Sequence, residues 1–213
     1  MLPFTVEQFF VVFGSYNTAI WPAPLVAYGL GLLALAFLAK PSAPANRITS
    51  AILGLMWLWT GIAYHWIHFA AINPAAPVFG AAFVVQGLLF LHAAWSGRLT
   101  FGQVGSVRAA VGLVFILYAG ILYPLLGIGF GHAYPNLPMF GITPCPVTIF
   151  TFGCLLLTAK PMPWWIVAIP LLWSLVGGSA AFLLGIPQDW VLLVSGPAAT
   201  ALLARNAPTG HLP

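Results

Sequence analysis

Along this chain the apolar residues come in long runs, and the polar positions gather in short breaks between them. The runs approach the ~20 residues that a helix needs to cross a hydrocarbon core. They predict seven transmembrane helices near 20–39, 49–71, 77–96, 107–128, 142–159, 163–184 and 189–205. A further helix start precedes them, over residues 4–16. Thr5 and Gln8 have capping-box spacing, and Phe4 is placed to staple onto Phe9. About a dozen residues are too few to span, so this segment reads as a short interfacial or re-entrant helix. A helix continuous with the first span is the alternative.

Two of the runs echo each other. Trp21 to Pro41 reads WPAPLVAYGLGLLALAFLAKP, and Thr143 to Pro161 reads TPCPVTIFTFGCLLLTAKP. Both open on Pro-x-Pro and close on Ala-Lys-Pro. If the echo is a repeat, the membrane domain is a 3+1+3 arrangement: a three-helix unit over 20–96, a linker helix over 107–128, and a second unit over 142–205. Parallel repeats of this kind enclose the substrate path of some transporters. Chance likeness between two apolar segments explains the echo as well, because bilayer composition alone produces it.

Composition strengthens the membrane expectation. The chain has 213 residues, of which 62% are hydrophobic and 4% charged, against about 25% charged in soluble domains. The net charge of +4 comes from basic residues too scattered for nucleic acid. Lys40, Arg47, Arg98, Arg108, Lys160 and Arg205 all fall on one side of the seven-helix topology, and Glu7 and Asp189 on the other. The positive-inside rule makes the basic side cytoplasmic, with the N-terminus outside and the C-terminus inside. Cys145 and Cys154 lie in one predicted helix and cannot be bridged within it.

Candidate chemistry collects at the outer ends of these helices. His65 and His68 stand three apart beside Tyr64, a spacing that puts both rings on one helical face. Topology brings His132 and Cys145 to the same depth. A His/Cys set suits zinc or copper better than hard cations, with haem iron a weaker fit. His, Trp and Tyr at this depth also form the ordinary aromatic belt. Tyr64, Tyr134, Glu7 and Asp189 could line a ligand path, and Gln86 lies mid-span, where an amide needs an interhelical partner. Glu7 and Asp189 are the only carboxylates, and both read as near the surface, which leaves no buried general base.

The opening Leu2-Pro3-Phe4-Thr5-Val6-Glu7-Gln8-Phe9-Phe10, with Thr143-Pro144-Cys145-Pro146, resembles a family of bacterial multi-pass membrane proteins of unknown function. The resemblance implies a bacterial inner-membrane location and supplies no activity, ligand or functional residue. The residues themselves favour a transporter or ligand-binding protein for a small solute or soft metal ion. A metallo- or haem-dependent enzyme at the periplasmic face, or an accessory subunit of a membrane complex, is the alternative. The expected partners are the lipid bilayer, a small solute or metal ion, and further copies of the chain in a homo-oligomer.

Overall fold

Thr5 caps the first helix as its spacing predicts. Its hydroxyl accepts from the Gln8 amide at 3.2 Å, and the Gln8 side chain accepts from the Thr5 amide at 2.9 Å. Phe4 stacks on Phe9 with ring centroids 5.8 Å apart, completing the staple. The computed structural model describes residues 3–205, so Leu2 of the opening motif lies outside the described residues. Among those residues it is all-helical, with one isolated bridge between Phe101 and Thr158. Helix α1 (Val6–Ala19) runs past its predicted end and turns by 86° into α2 (Ala23–Ala39). It is therefore a helix of its own.

Helix α3 (Ala43–Trp59) passes without a break into a π-helical segment, Thr60–His68, and a last tight turn, Phe69–Ala71. Next come α4 (Ala76–Ser96), α5 (Ser106–Leu117), a second π segment at Tyr118–Leu122, and α6 (Tyr123–Gly129). Then follow α7 (Pro144–Leu156), α8 (Trp165–Leu184) and α9 (Trp190–Ala204). The second π segment has a local cause. Pro124 has no N–H to offer the Gly120 carbonyl four residues back, and its ring crowds that oxygen. The wider turn relieves the clash, and the Tyr28 hydroxyl of α2 donates to the Gly120 carbonyl instead, at 3.1 Å.

Helices α3 and α4 run antiparallel with their backbones in contact. A Cβ added at Gly54, Gly61, Gly80 or Gly87 would stand 2.9–3.0 Å from a carbonyl oxygen of the facing helix. Gly54 faces Gly87 and Gly61 faces Gly80, so each pair permits the approach that small residues give membrane helices.

Helix α7 sits at the centre. All 13 of its residues are buried, as befits a helix that is apolar all round. It packs against α5, α8 and α9 and touches α3. Pro144 takes the first helical position, where its missing N–H costs nothing. The Val147 amide donates to the Thr143 carbonyl at 3.2 Å, so the Pro-x-Pro starts this helix. Helix α2 is peripheral by contrast, burying only Pro24, Ala27, Gly31 and Ala34. The two segments that echo each other in sequence thus occupy unlike places.

Among the described residues, three helical stretches are long and apolar enough to cross a membrane: α4, the continuous rod Ser106–Gly129, and α8. The bent pair α1–α2 brings the number to four. The seven predicted spans exceed this. Helices α7 and α9, with 13 and 15 residues, are shorter than the apolar runs that contain them. At one side of α7, Leu157 and Thr158 leave the helix to meet Gly102 and Phe101; ahead of α9, Pro187–Asp189 forms a separate tight turn.

One end of the bundle gathers the breaks that carry positive charge. Arg47 lies against Gly97. Asn46 accepts from the Phe101 amide at 3.2 Å. The Ala159 amide donates to Thr100 at 2.7 Å, and Arg108 donates to the Thr158 carbonyl at 2.8 Å. The opposite end is aromatic and contains both acids.

Candidate ligand cavity

The π segment Thr60–His68 delivers its side chains in an unusual register, and this shapes the aromatic end. His65 is fully buried. Its ring lies among Phe69, Phe79, Phe83 and Trp173 at centroid distances of 5.9, 6.0, 4.8 and 5.2 Å. Neither ring nitrogen has a hydrogen-bond partner among the described residues. Tyr64 stacks between Phe13 and Phe69 at 5.3 and 5.4 Å, and its buried hydroxyl is also unpartnered. So is Nε1 of Trp173. Such atoms are rare in folded proteins, since each forfeits its bonds to water.

All three residues line one cavity of about 610 Å³. Phe4, ahead of α1, and Phe9 and Phe13 within it form one wall, and Trp173 to Leu184 of α8 another. Pro144 and Cys145 at the start of α7, together with Asp189, contribute to the lining as well. Leu175, Val176 and Leu183 belong to the same lining and are exposed on the outer face of α8. The cavity therefore opens sideways, between α1 and α8, through an apolar mouth.

Asp189 is 2% exposed, which corrects the expectation of a surface carboxylate. The tight turn that carries it is outside the candidate spans and packs against α6, α8 and α9. The Tyr123 hydroxyl and the Cys145 thiol donate to its carboxylate. Burial pushes its pKa up to about 6, while those two hydrogen bonds pull the other way. The neighbouring Tyr118 hydroxyl donates to the Gln188 carbonyl at 2.7 Å and fixes the turn.

The four expected metal ligands do not meet. His65 faces Trp173, whereas Nδ1 of His68 donates to the Ala63 carbonyl at 2.8 Å and its ring stands edge-on to Tyr16. His132 stacks on Phe10 with centroids 3.6 Å apart, and Cys145 pairs with Asp189. Among the described residues no three His, Cys, Asp or Glu side chains come together to hold a metal. The three-residue spacing of His65 and His68 implied a shared face only for an α-helix; π winding closes its turn later and rotates them apart.

The other expected site residues take structural posts. Gln86 donates to the Ile166 carbonyl at 3.0 Å and ties α4 to α8. Tyr134 donates to the Asn17 carbonyl at 3.3 Å. Glu7 is exposed in the first turn of α1. Two residues stand out without having been expected. Trp173 supplies a cavity donor, and Asn17 clamps the long loop by donating to the Pro135 and Leu137 carbonyls at 2.6 and 2.8 Å. Asn17 was legible as an amide in an otherwise aromatic and apolar helix face.

Residues 6–212 match the model of a family of unknown function, DUF6064. No curated protein and no solved structure matches the chain.

Proposed function

The chain belongs to the DUF6064 family of unknown function, and from its cavity we propose that it is a membrane protein that binds a small, mainly apolar molecule with a neutral polar end. The carrying observation is the set of unpartnered buried polar atoms on Tyr64, His65 and Trp173, all on the wall of one apolar cavity. Apolar pockets with a few convergent polar groups are the usual form of small-molecule sites. A neutral imidazole offers one donor and one acceptor, Tyr64 offers either, and Trp173 donates. A hydroxyl or carbonyl group would satisfy them. No Lys or Arg faces the cavity, and Asp189 does, so an anionic group is disfavoured there.

The sideways mouth suits a ligand that arrives from the bilayer. In this proposal the basic end is cytoplasmic by the positive-inside rule. The chain passes seven times between the two ends, in α2, the rod from α3 through Ala71, α4, the α5–α6 rod, α7, α8 and α9. The rod Ala43–Ala71 is about 40 Å long at the helical rise per residue. Helices α7 and α9 are short, but α7 is enclosed by protein, which is where a membrane tolerates departures from full-length helices.

The test is chemical extraction of the protein purified in mild detergent, with mass spectrometry of the organic phase. A stoichiometric neutral amphiphile in wild type that is lost in His65→Phe supports the proposal. Absence of any such molecule, together with no thermal stabilisation by neutral isoprenoid, sterol or acylglycerol probes, would overturn it. One observation favours a second reading, a membrane-embedded enzyme. Asp189 places a proton-exchanging carboxyl on the cavity wall beside Cys145; chemical alteration of the bound molecule, dependent on Asp189, would distinguish catalysis from binding.

A further inference from the structure

At the opposite end of the bundle, α8 and α9 leave a second groove of about 450 Å³. Its length is apolar, lined by Met162, Val167, Leu171 and Leu203. Its mouth is not. Arg108 and Lys160 both line it, and Thr200 stands with them. One terminal nitrogen of Arg108 is pinned by the Thr158 carbonyl and hydroxyl at 2.8 and 3.3 Å. That leaves the guanidinium held in orientation while its buried Nε has no partner among the described residues. The Thr200 hydroxyl is likewise buried and unpartnered.

Among the described residues neither cation has an acidic side chain within reach. The chain's two carboxylates are Glu7, in α1, and Asp189, beside Tyr123 and Cys145 at the other end. Trp164 lines the same mouth and is 78% exposed, the disposition of an indole at a headgroup layer. We propose that this groove binds an anionic phospholipid, with its phosphodiester on Arg108, Lys160 and Thr200 and one acyl chain along the α8–α9 wall. A guanidinium with a free N–H, an ammonium and a hydroxyl are the donors a phosphate oxygen takes. A free phosphate would use the mouth and leave the apolar length unfilled. Basic pockets between helices at a cytoplasmic surface meet the anionic leaflet there. The site is separate from the aromatic cavity and rests only on the membrane placement.

The test is native mass spectrometry of the full chain in mixed micelles containing equal phosphatidylglycerol and phosphatidylcholine. Phosphatidylglycerol is expected to be retained in preference. Lys160→Gln should weaken retention about fivefold, and Thr200→Val should weaken it with no change of charge. Arg98→Gln, which removes a cation at the same end but outside the groove, should leave it unchanged. Lys160→Gln and Thr200→Val spare the Arg108–Thr158 contacts, so they answer even if Arg108→Gln fails to fold. Equal retention of the two lipids, or equal losses in Lys160→Gln and Arg98→Gln, would overturn the proposal. Displacement of the lipid by inorganic phosphate in millimolar amounts would also overturn it, marking a site for the free anion.

Discussion

The Tyr123 hydroxyl donates to the Asp189 carboxylate across 66 residues of sequence, and both side chains are buried. It joins the start of α6 to the turn before α9. The Cys145 thiol, at the first turn of the central helix, donates to the same carboxylate. One acid thus ties three parts of the chain together at the edge of the aromatic cavity.

Tyr123→Phe removes a donor from a buried carboxylate and should cost about 1.5–3 kcal/mol. Tyr118→Phe loses a bond to a neutral carbonyl and should cost about 1 kcal/mol. Melting of the two variants in the same detergent checks the order. A Tyr118 variant less stable than the Tyr123 variant would remove Asp189 from its central place.

The raised pKa of Asp189 has a consequence for stability. Between its ordinary value of 3.8 and about 6, the folded chain keeps a proton that the unfolded chain has released. The contribution of this group therefore falls as pH rises through that window and levels off above it. Melting of wild type and Asp189→Asn from about pH 4 to about pH 7 reads it out. Wild type should lose ground to the variant up to about pH 6 and then hold steady. A difference that is constant or grows in the other direction refutes the assignment.

Asn17→Ala removes two hydrogen bonds from the loop carbonyls, about 1 kcal/mol each. Amide exchange should quicken in residues 132–138, while α7 stays protected. Exchange that quickens equally in both would show that the clamp supports the whole fold rather than this loop.

Gly87→Ala puts a methyl group 2.6 Å from Leu58 Cγ and 2.9 Å from the Gly54 carbonyl oxygen. Helices α3 and α4 must then part, at a cost of about 1–3 kcal/mol. Gly29→Ala, where nothing stands within 4 Å, should be neutral or slightly stabilising. A melting comparison of the pair measures the contact.

What the sequence shows clearly is what depends on near neighbours. The cap at Thr5 follows from a local rule and is present; for Gln86 the sequence shows the need for an interhelical partner, which the Ile166 carbonyl meets, but not which residue supplies it. The glycine contact was also legible in principle. Gly54 and Gly61 are seven apart, as are Gly80 and Gly87, so each pair returns to nearly the same side of its helix. The metal cluster failed because the α-helical period was assumed over Thr60–His68. Asp189 reads as near the surface because it stands at the outer end of the last predicted span, while its burial depends on α6 and α8, which its turn meets only in three dimensions. The aromatic cavity is legible only in part: Tyr64, His65, Cys145 and Asp189 are among the expected site residues and line it, but its walls are not. It is a space between elements that no single stretch encodes.

The complete enclosure of α7 bears on the order in which the molecule can be assembled. A ribosome delivers residues 144–156 well before residues 190–204, yet α9 is among the main supports of the finished central helix. Until α9 arrives, α7 has the sequence of an interior and none of its enclosure on that side. Helix α9 is what closes that side of the core. Removing it takes away a wall of the centre rather than a tail.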